Sequence, residues 1–259
     1  MDISHSMHLN GVDPVDDGVT RLLWTGGWDS TFRLLYLVLI RSEPVQPYYI
    51  IDPGRRTFML EMKARCRIQE QVYEMFPEKA ELIRPSILFY KGDIRPDDEI
   101  TDMYMRINEK NRLGLQYEWL ARFAKQFSIN DLEIGMIFAP PGTASSILRS
   151  HLEKSEGSMG ETKWILRKDE MDTDMSMFRY FSFPLIETTK LEMREIAERK
   201  GFAGIMDSTW FCHRPINGKP CGFCHPCCIA MKMGMDQRLP RISKFRFYLY
   251  RAIRGLVRK

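Results

Sequence analysis

Two glycines and several hydroxyl side chains lie between an apolar run and a helix-like segment near the start of the chain. Residues 21–24 are predicted to form a strand, and residues 32–40 a buried helix. Glycine lets a backbone approach a phosphate closely, and the free N–H groups of a first helical turn point toward such an anion. Asp29 or Ser30 is expected to cap this helix. The predicted phosphate-binding loop consists of Thr25, Gly26, Gly27, Trp28, Asp29, Ser30 and Thr31.

Four cysteines in the C-terminal part of the chain have the spacing of metal ligands. They are Cys212, Cys221, Cys224 and Cys227. Four thiolates at about 2.3 Å from a tetrahedral Zn²⁺ form a closed structural site, and we predict such a site here. An iron–sulfur cluster and redox chemistry of a Cys-x-x-Cys pair are the alternatives, and His213 or His225 could replace a cysteine ligand. Cys228 is an extra thiol beside a ligand, and Cys66 is expected in the core.

The composition is that of an ordinary globular chain, with 44% hydrophobic and 28% charged residues in 259 positions. No apolar run is long enough to span a membrane. Residues 1–20 have no apolar core like that of a secretory signal, so we interpret them as a flexible leader. Five of the six cysteines lie between Cys212 and Cys228, which favours a reduced metal site over a disulfide framework. We therefore expect a cytoplasmic protein.

Predicted strands alternate with amphipathic helices along the chain, which is typical of a parallel α/β sheet sandwiched by helices. Further strands are expected at 45–52, 82–90, 132–138 and 181–186, and helices at 58–76, 103–127 and 190–200. Pro85 places its strand at an edge. Residues 153–161 are expected to form a mobile surface segment. The predicted organisation is a nucleotide-binding domain over 21–207, a zinc-binding segment over 208–236 and a basic tail over 237–259.

The tail is basic and aromatic, and its apolar residues have helical spacing. Phe245, Leu249, Ala252, Ile253 and Leu256 fall on one face of the predicted helix. We expect this helix to pack on the domain or on a second subunit of a homodimer. The alternatives are that it docks RNA, an acidic protein partner or a membrane surface.

The loop from Thr25 to Ser30 resembles the Ser-Gly-Gly-x-Asp-Ser loop of the PP-loop ATP pyrophosphatase superfamily, with Thr25 replacing the first Ser. The resemblance implies an adenine nucleotide alpha hydrolase-like fold. It also implies that ATP, bound with Mg²⁺, is cleaved between its α and β phosphates to give an adenylated intermediate and pyrophosphate.

The C-terminal half narrows the resemblance. Residues 183–190, 208–212 and 221–227 look like the corresponding parts of the 7-cyano-7-deazaguanine synthase family, which has four zinc cysteines at this spacing. That family is a carbon–nitrogen ligase that activates a deazaguanine carboxylic acid with ATP and converts it, with ammonia, through an amide to a nitrile. The resemblance implies catalytic roles for Asp29, Ser30 and Lys190. Ile50 and Ile51 would border the adenine, and Arg112 would contact a phosphate or a carboxylate.

One segment departs from this family. After the equivalent strand the family has a polar loop with acidic residues and an Asp-Cys-Arg string near the substrate, whereas residues 138–146 here contain neither an acid nor a cysteine. A pocket that loses its charged selectors should change its substrate. The alternatives are therefore a ligase that joins a deazaguanine or other acid to a protein or another amine, a tRNA sulfur transferase, and a non-enzymatic scaffold held by zinc.

Overall fold

The computed structural model describes residues 18–111, 113–137, 144–156 and 160–257. Seven strands form one sheet in the order β3-β2-β1-β4-β7-β6-β5. The strands are β1 (Thr20–Leu23), β2 (Val45–Ile51), β3 (Ile87–Tyr90), β4 (Leu132–Glu133), β5 (Leu152–Glu156), β6 (Thr162–Leu166) and β7 (Phe181–Ser182).

Five neighbouring strands of this sheet, from β3 through β7, are parallel, and β6 and β5 extend it in antiparallel fashion. Leu22 on β1 is in register with Pro47 on β2 and with Glu133 on β4. The chain leaves β1 toward β2 on one side and returns to β4 on the other. The strand order therefore reverses between β1 and β4, which is where open α/β sheets form a crevice beyond the carboxyl ends of their strands.

Helices lie between most of the strands and follow the last of them, β7. They are α1 (Trp28–Leu35), α2 (Phe58–Met75), α3 (Pro77–Ala80), α4 (Asp98–Lys110), α5 (Gln116–Gln126), α6 (Ala144–Arg149), α7 (Lys190–Arg199), α8 (Ala203–Asp207), α9 (His225–Lys232) and α10 (Arg241–Val257). The first of these continues as a π-helical segment, Tyr36–Arg41. Within the described ranges, every helix is too short or too polar to cross a lipid bilayer.

The sheet has a separate hydrophobic core on each face. Leu22 and Leu23 are consecutive on β1 and belong to opposite cores, because strand side chains alternate between faces. Phe123 of α5 contributes to the core that contains Leu23, and Ile68 of α2 to the core that contains Leu22. Helices therefore cover both faces, and the predicted fold class, a parallel sheet sandwiched by helices with a C-terminal four-cysteine group, is confirmed.

Several elements differ from their prediction, and the strands expected at 82–90, 132–138 and 181–186 are shorter, covering 87–90, 132–133 and 181–182. The helix expected over 103–127 is two helices, because Asn108 Oδ1 accepts from Leu113 N (3.0 Å) and the Tyr104 hydroxyl donates to Leu113 O (3.0 Å), which fixes a turn between α4 and α5. Most of the expected surface segment at 153–161 instead belongs to the β5–β6 hairpin, with residues 157–159 outside the described part. The tail helix packs on the domain through Ser243 and Phe247, whereas Phe245, Leu249 and Ile253 of the predicted apolar face are exposed, and packing of that face on a second subunit stays a prediction.

A buried ion pair joins helix α1 to strand β4. Arg33 Nε and Nη2 donate to the two carboxylate oxygens of Glu133 at 2.7 Å each, and both side chains are 3% exposed. Glu161 also accepts from Arg33 Nη2. Burial alone would lower the pKa of Arg33. The carboxylates of Glu133 and Glu161 raise it by more than burial lowers it, so the pKa lies above the ordinary arginine value and the guanidinium stays charged.

Removing Glu133 takes the bidentate partner away from a guanidinium that is 3% exposed and leaves it with one contact to Glu161. We expect Glu133→Ala to lower the free energy of unfolding by about 3–5 kcal/mol, measured by urea denaturation. The double change Arg33→Met with Glu133→Leu removes both charges and should recover most of that loss. The exposed pair Arg194–Glu198 is the matched control, and Glu198→Ala should cost less than about 1 kcal/mol. Equal losses for the two carboxylates would contradict this assignment.

Candidate ATP cleft and cysteine centre

A cleft of about 410 Å³ opens beyond the carboxyl ends of β1 and β4, at the point where the strand order reverses. The loop after β1 forms its floor, Gly135 and Met136 after β4 form one side, and the segment around the cysteines forms another. The predicted site residues that line it are Thr25, Gly27, Trp28, Asp29, Ser30, Lys190 and Cys212.

Hydroxyl groups hold the loop after β1 in shape. Helix α1 begins at Trp28 and has Gly27 as its N-cap, with no side-chain cap, so the prediction that Asp29 or Ser30 caps it is wrong. Ser30 Oγ instead lies inside the first turn, where it accepts from Thr25 N and lies 3.2 Å from Thr25 Oγ1. These contacts between Thr25 and Ser30 join the two ends of the loop. The N–H groups of the first helical turn have no capping side chain in front of them.

Two glycines allow neighbouring elements to touch the loop backbone. A Cβ on Gly26, which has φ of +72°, would lie 2.8 Å from Arg65 Cγ on α2. A Cβ on Gly135 would lie 2.9 Å from Ser30 N and 3.2 Å from Asp29 C. Both distances are shorter than real Cβ contacts, so side chains at either position would displace the loop.

Lys190 reaches the loop from a different helix. Its Nζ lies 3.1 Å from Asp29 Oδ1. Lys190 is the first residue of α7, and Thr189 and Glu192 form a capping box at the start of that helix. Hydrogen bonding from Thr189 lowers the pKa of Glu192, which keeps that cap ionised. A cation at a helix N-terminus opposes the helix dipole, so the position of Lys190 serves the cleft better than it serves the helix.

Arg238 also lines the cleft and was missed from the sequence. Its guanidinium lies over the rings of Trp28 (4.8 Å) and Phe211 (4.6 Å), and its Nη2 donates to Thr209 O at 2.8 Å. The buried Nε has no hydrogen-bond partner among the described residues. Burial lowers the pKa of Arg238 to about 10, so it remains a cation at neutral pH. No local pattern signals this residue, because its partners are distant in sequence.

The four predicted metal ligands come together in a compact group. Their sulfurs all lie within 4.8 Å of one another, with 3.8 Å between those of Cys212 and Cys224 and 3.9 Å between those of Cys221 and Cys227. Ligands at about 2.3 Å from one tetrahedral ion lie about 3.8 Å apart. Backbone N–H groups of Cys221 and Cys224 also donate to the sulfurs. The set fits a single ion better than a cluster, in which each cysteine binds a different iron.

The segment that carries the four cysteines, residues 208–236 (the cysteine segment), is hydrogen-bonded directly to the loop after β1. Trp210 N donates to Gly26 O at 2.9 Å, and Trp210 Nε1 donates to Cys212 O at 2.9 Å. Thr209, next to Trp210, holds Arg238. The cysteine segment therefore forms a wall of the cleft and fixes the position of the Arg238 guanidinium.

Other predicted site residues lie elsewhere. Thr31 is fully buried and accepts from Trp24 Nε1 at 2.9 Å, so its hydroxyl braces the strand instead of facing the cleft. Gly26 packs against α2. Ile50 and Ile51 end β2, and neither is among the described residues that line the cleft. Arg112 and residues 138–143 of the departing loop lie outside the described residues.

Comparisons with known proteins give two distant structural likenesses. No protein-family model and no curated protein sequence matches the chain. A 4-thiouridine synthetase solved with RNA and bound ATP aligns over 89% of this chain and 53% of its own, at 13% identity and a TM-score of 0.37. The U34-tRNA thiolase NcsA from Methanococcus maripaludis, solved with its [4Fe-4S] cluster, aligns over 91% and 71%, at 12% identity and a TM-score of 0.39. The chain spans about half the length of the first structure, and scores this low carry no functional argument.

The contact between Gly135 and the loop can be tested by adding one methyl group. Gly135→Ala should lower the free energy of unfolding by about 1–3 kcal/mol, since the new Cβ would press on the backbone of Ser30. Gly204→Ala in α8 is the control, because nothing lies within 4 Å of its Cβ position and alanine favours a helix. Urea denaturation measures both. A neutral effect of Gly135→Ala would show that the loop does not depend on this contact.

Proposed function

We propose that the cleft binds ATP and that the chain is an ATP-dependent carbon–nitrogen ligase that forms AMP and pyrophosphate. One observation carries the proposal: an uncapped helix start, two braced hydroxyls and two cations from distant parts of the chain meet at the reversal of strand order. A cleft of about 410 Å³ also lies within the range of small-molecule sites, roughly 300–1,000 Å³.

Each part of the cleft has a role in this proposal. The N–H groups at the start of α1 and the hydroxyls of Thr25 and Ser30 would donate to the phosphates released as pyrophosphate. Lys190 and Arg238 would neutralise the charge that grows on those phosphates as the bond breaks. Mg²⁺ prefers oxygen ligands, so Asp29 is the residue that would hold it, and the ion would share in charge neutralisation. The proposed places of Ile50 and Ile51 beside the adenine follow from the resemblance alone.

The proposed reaction has two steps. A carboxylate oxygen of the acid substrate attacks the α phosphorus, the α–β bridging bond breaks, and pyrophosphate leaves. The amine nitrogen then attacks the acyl carbon and AMP leaves with the bonding electron pair, while the amine loses a proton. The protein contributes mostly by placing the reactants and stabilising charge. The resemblance makes a 7-carboxy-7-deazaguanine-type acid and ammonia the first pair to test.

A second groove gives room for a larger acceptor. It adjoins the cleft through Arg55, Gln116, Trp119 and His213, and has a volume of about 900 Å³. Its walls also carry the exposed cations Arg56 and Arg214. This favours the alternative in which an activated acid is joined to a protein or another bulky amine. The tRNA sulfur-transferase alternative needs a redox-active cysteine pair free of metal, and four of the six thiols would be bound if the compact set holds an ion.

We propose that the four cysteines hold Zn²⁺. Four thiolates leave no open position on a tetrahedral ion, so the metal would be structural and would hold the wall of the cleft in place. Cys212, Cys221, Cys224 and Cys227 supply the ligands, and no step of the reaction passes through the metal. Cys228, whose Sγ lies 3.6 Å from Phe223 O, and the exposed Cys66 remain outside the set.

The ATP assignment predicts separate effects on turnover and on stability. Lys190→Ala and Arg238→Gln should each reduce kcat/KM for pyrophosphate release on the order of 10²–10³-fold, as for loss of one charge-stabilising donor. Lys200→Ala, at the exposed end of the same helix as Lys190, is the matched control and should be silent. Pyrophosphate is measured with ATP alone and with 7-carboxy-7-deazaguanine and ammonia, and the product by mass spectrometry. Unchanged turnover in Lys190→Ala would refute the assignment.

The metal assignment predicts loss of both zinc and the ATP site. The purified chain should contain about one zinc ion per molecule, and Cys224→Ser should lose it, with a lower Tm and little pyrophosphate release. Cys66→Ser, at an exposed thiol, should keep its zinc content and Tm. Metal content by mass spectrometry and thermal unfolding read out the change. Iron with a visible absorption band would instead assign a cluster.

A further inference from the structure

Helix α10 is held to the cysteine segment by one narrow face. Ser243 and Phe247 are the buried residues of its first part. Ser243 Oγ donates to Pro220 O, and a Cβ on Gly222 would lie only 2.0 Å from Ser243 O. Gly222, with φ of +93°, therefore lets the helix backbone lie directly on the turn between two metal ligands.

The opposite face of α10 is apolar and exposed. Ile242, Phe245, Leu249 and Ile253 are 47%, 63%, 49% and 52% exposed, and their spacing of three, four and four residues forms one stripe. Tyr248, 63% exposed, lies beside this stripe. A single exposed apolar residue needs no explanation, but a continuous stripe along a helix indicates a binding surface.

The charge around the stripe is of one sign. Residues 241–259 contain seven Lys and Arg and no Asp or Glu, whereas the remaining 240 residues contain 31 basic and 34 acidic residues. Helical spacing places Arg251 between the stripe and the packed face on one side, and Arg246 on the other, whereas Lys244 on the first side is already paired with Asp236. Lys and Arg at such flanks can extend their charged ends to the polar layer while their stems cover apolar surface. The partner of this surface must therefore be anionic as well as apolar.

We propose that α10 lies in the surface of a membrane that contains anionic lipid, with the Ile242–Phe245–Leu249–Ile253 stripe in the boundary between headgroups and acyl chains. A basic amphipathic helix with aromatic and aliphatic residues on one face is the form of an interfacial helix. Three of the four stripe residues, Ile242, Leu249 and Ile253, are aliphatic and have neither donors nor ring faces, so the stripe as a whole fits acyl chains better than a nucleic acid. Two copies paired through this stripe would bring their cations together with no acid on either helix.

The proposal does not depend on the ATP reaction and is tested by vesicle flotation of the full chain. Vesicles of phosphatidylcholine alone are compared with vesicles in which a portion is phosphatidylglycerol. The protein should float only with the anionic vesicles, and the bound fraction should fall as salt screens the charges. Phe245→Ser with Leu249→Ser should weaken binding at least about tenfold, since two half-exposed side chains lose their burial in the interface.

The control is Tyr73→Ser with Met75→Ser, which removes two apolar side chains of similar exposure, 69% and 50%, on α2. It should float like the parent chain, and both variants should keep the parent Tm and zinc content. Three outcomes would overturn the proposal: no flotation of the parent chain, equal flotation of the two variants, or a dimer or transfer-RNA complex of the parent chain that Phe245→Ser with Leu249→Ser dissolves while vesicle binding persists.

Discussion

The loop after β1 keeps its shape because three other parts of the chain lie directly against its backbone. Trp210 N bonds Gly26 O, Gly135 approaches Ser30 N, and Arg65 of α2 fills the space above Gly26. Hydroxyl groups already use two of its N–H groups, since Thr25 N donates to Ser30 Oγ and Gly27 N donates to Thr25 Oγ1, while the first turn of α1 has no capping side chain. The rest of the loop's geometry comes from contacts on its outer side, made by the segment after β4, by α2 and by the cysteine segment. The position of the cleft follows from this constraint.

Two arginine side chains near the loop, Arg65 and Arg238, are also held in place by neighbouring groups, in each case by two aromatic rings. Arg65 lies 4.6 Å from the ring of Trp24 and 4.5 Å from that of Tyr49, and burial lowers its pKa to about 10. Arg238 is buried between two rings as well. Guanidinium groups tolerate this because they are weakly hydrated and stack on aromatic faces. Both cations remain charged at neutral pH, and Arg238 lines the cleft, so an anion bound there would meet a positive charge that is already in place.

The parts that could be predicted from sequence are those set by local spacing. Two glycines before a helix predict the loop, and the spacing of Cys221, Cys224 and Cys227 places three ligands on one turn, with Cys212 reaching them from the preceding loop. Arg238 could not be found this way, since its contacts with Trp28 and Thr209 depend on the fold. The spacing of the apolar residues predicts the stripe on α10, but it does not predict whether that stripe faces the domain or the solvent. Ser243 faces the domain because Gly222, far from it in sequence, has no Cβ and so lets the helix backbone approach.

The cysteine segment contacts the cleft on one side and α10 on the other, so it links the two. Residues before Cys212 bond the loop and hold Arg238, while the turn from Pro220 to Gly222 carries the backbone of Ser243. A metal ion at the four sulfurs would lie between these two sides and fix one relative to the other. A helix held this way against a membrane would fix the orientation of the cleft as well. An acceptor carried by that membrane would then meet the groove at a set distance, whereas a small diffusing amine would gain nothing from it.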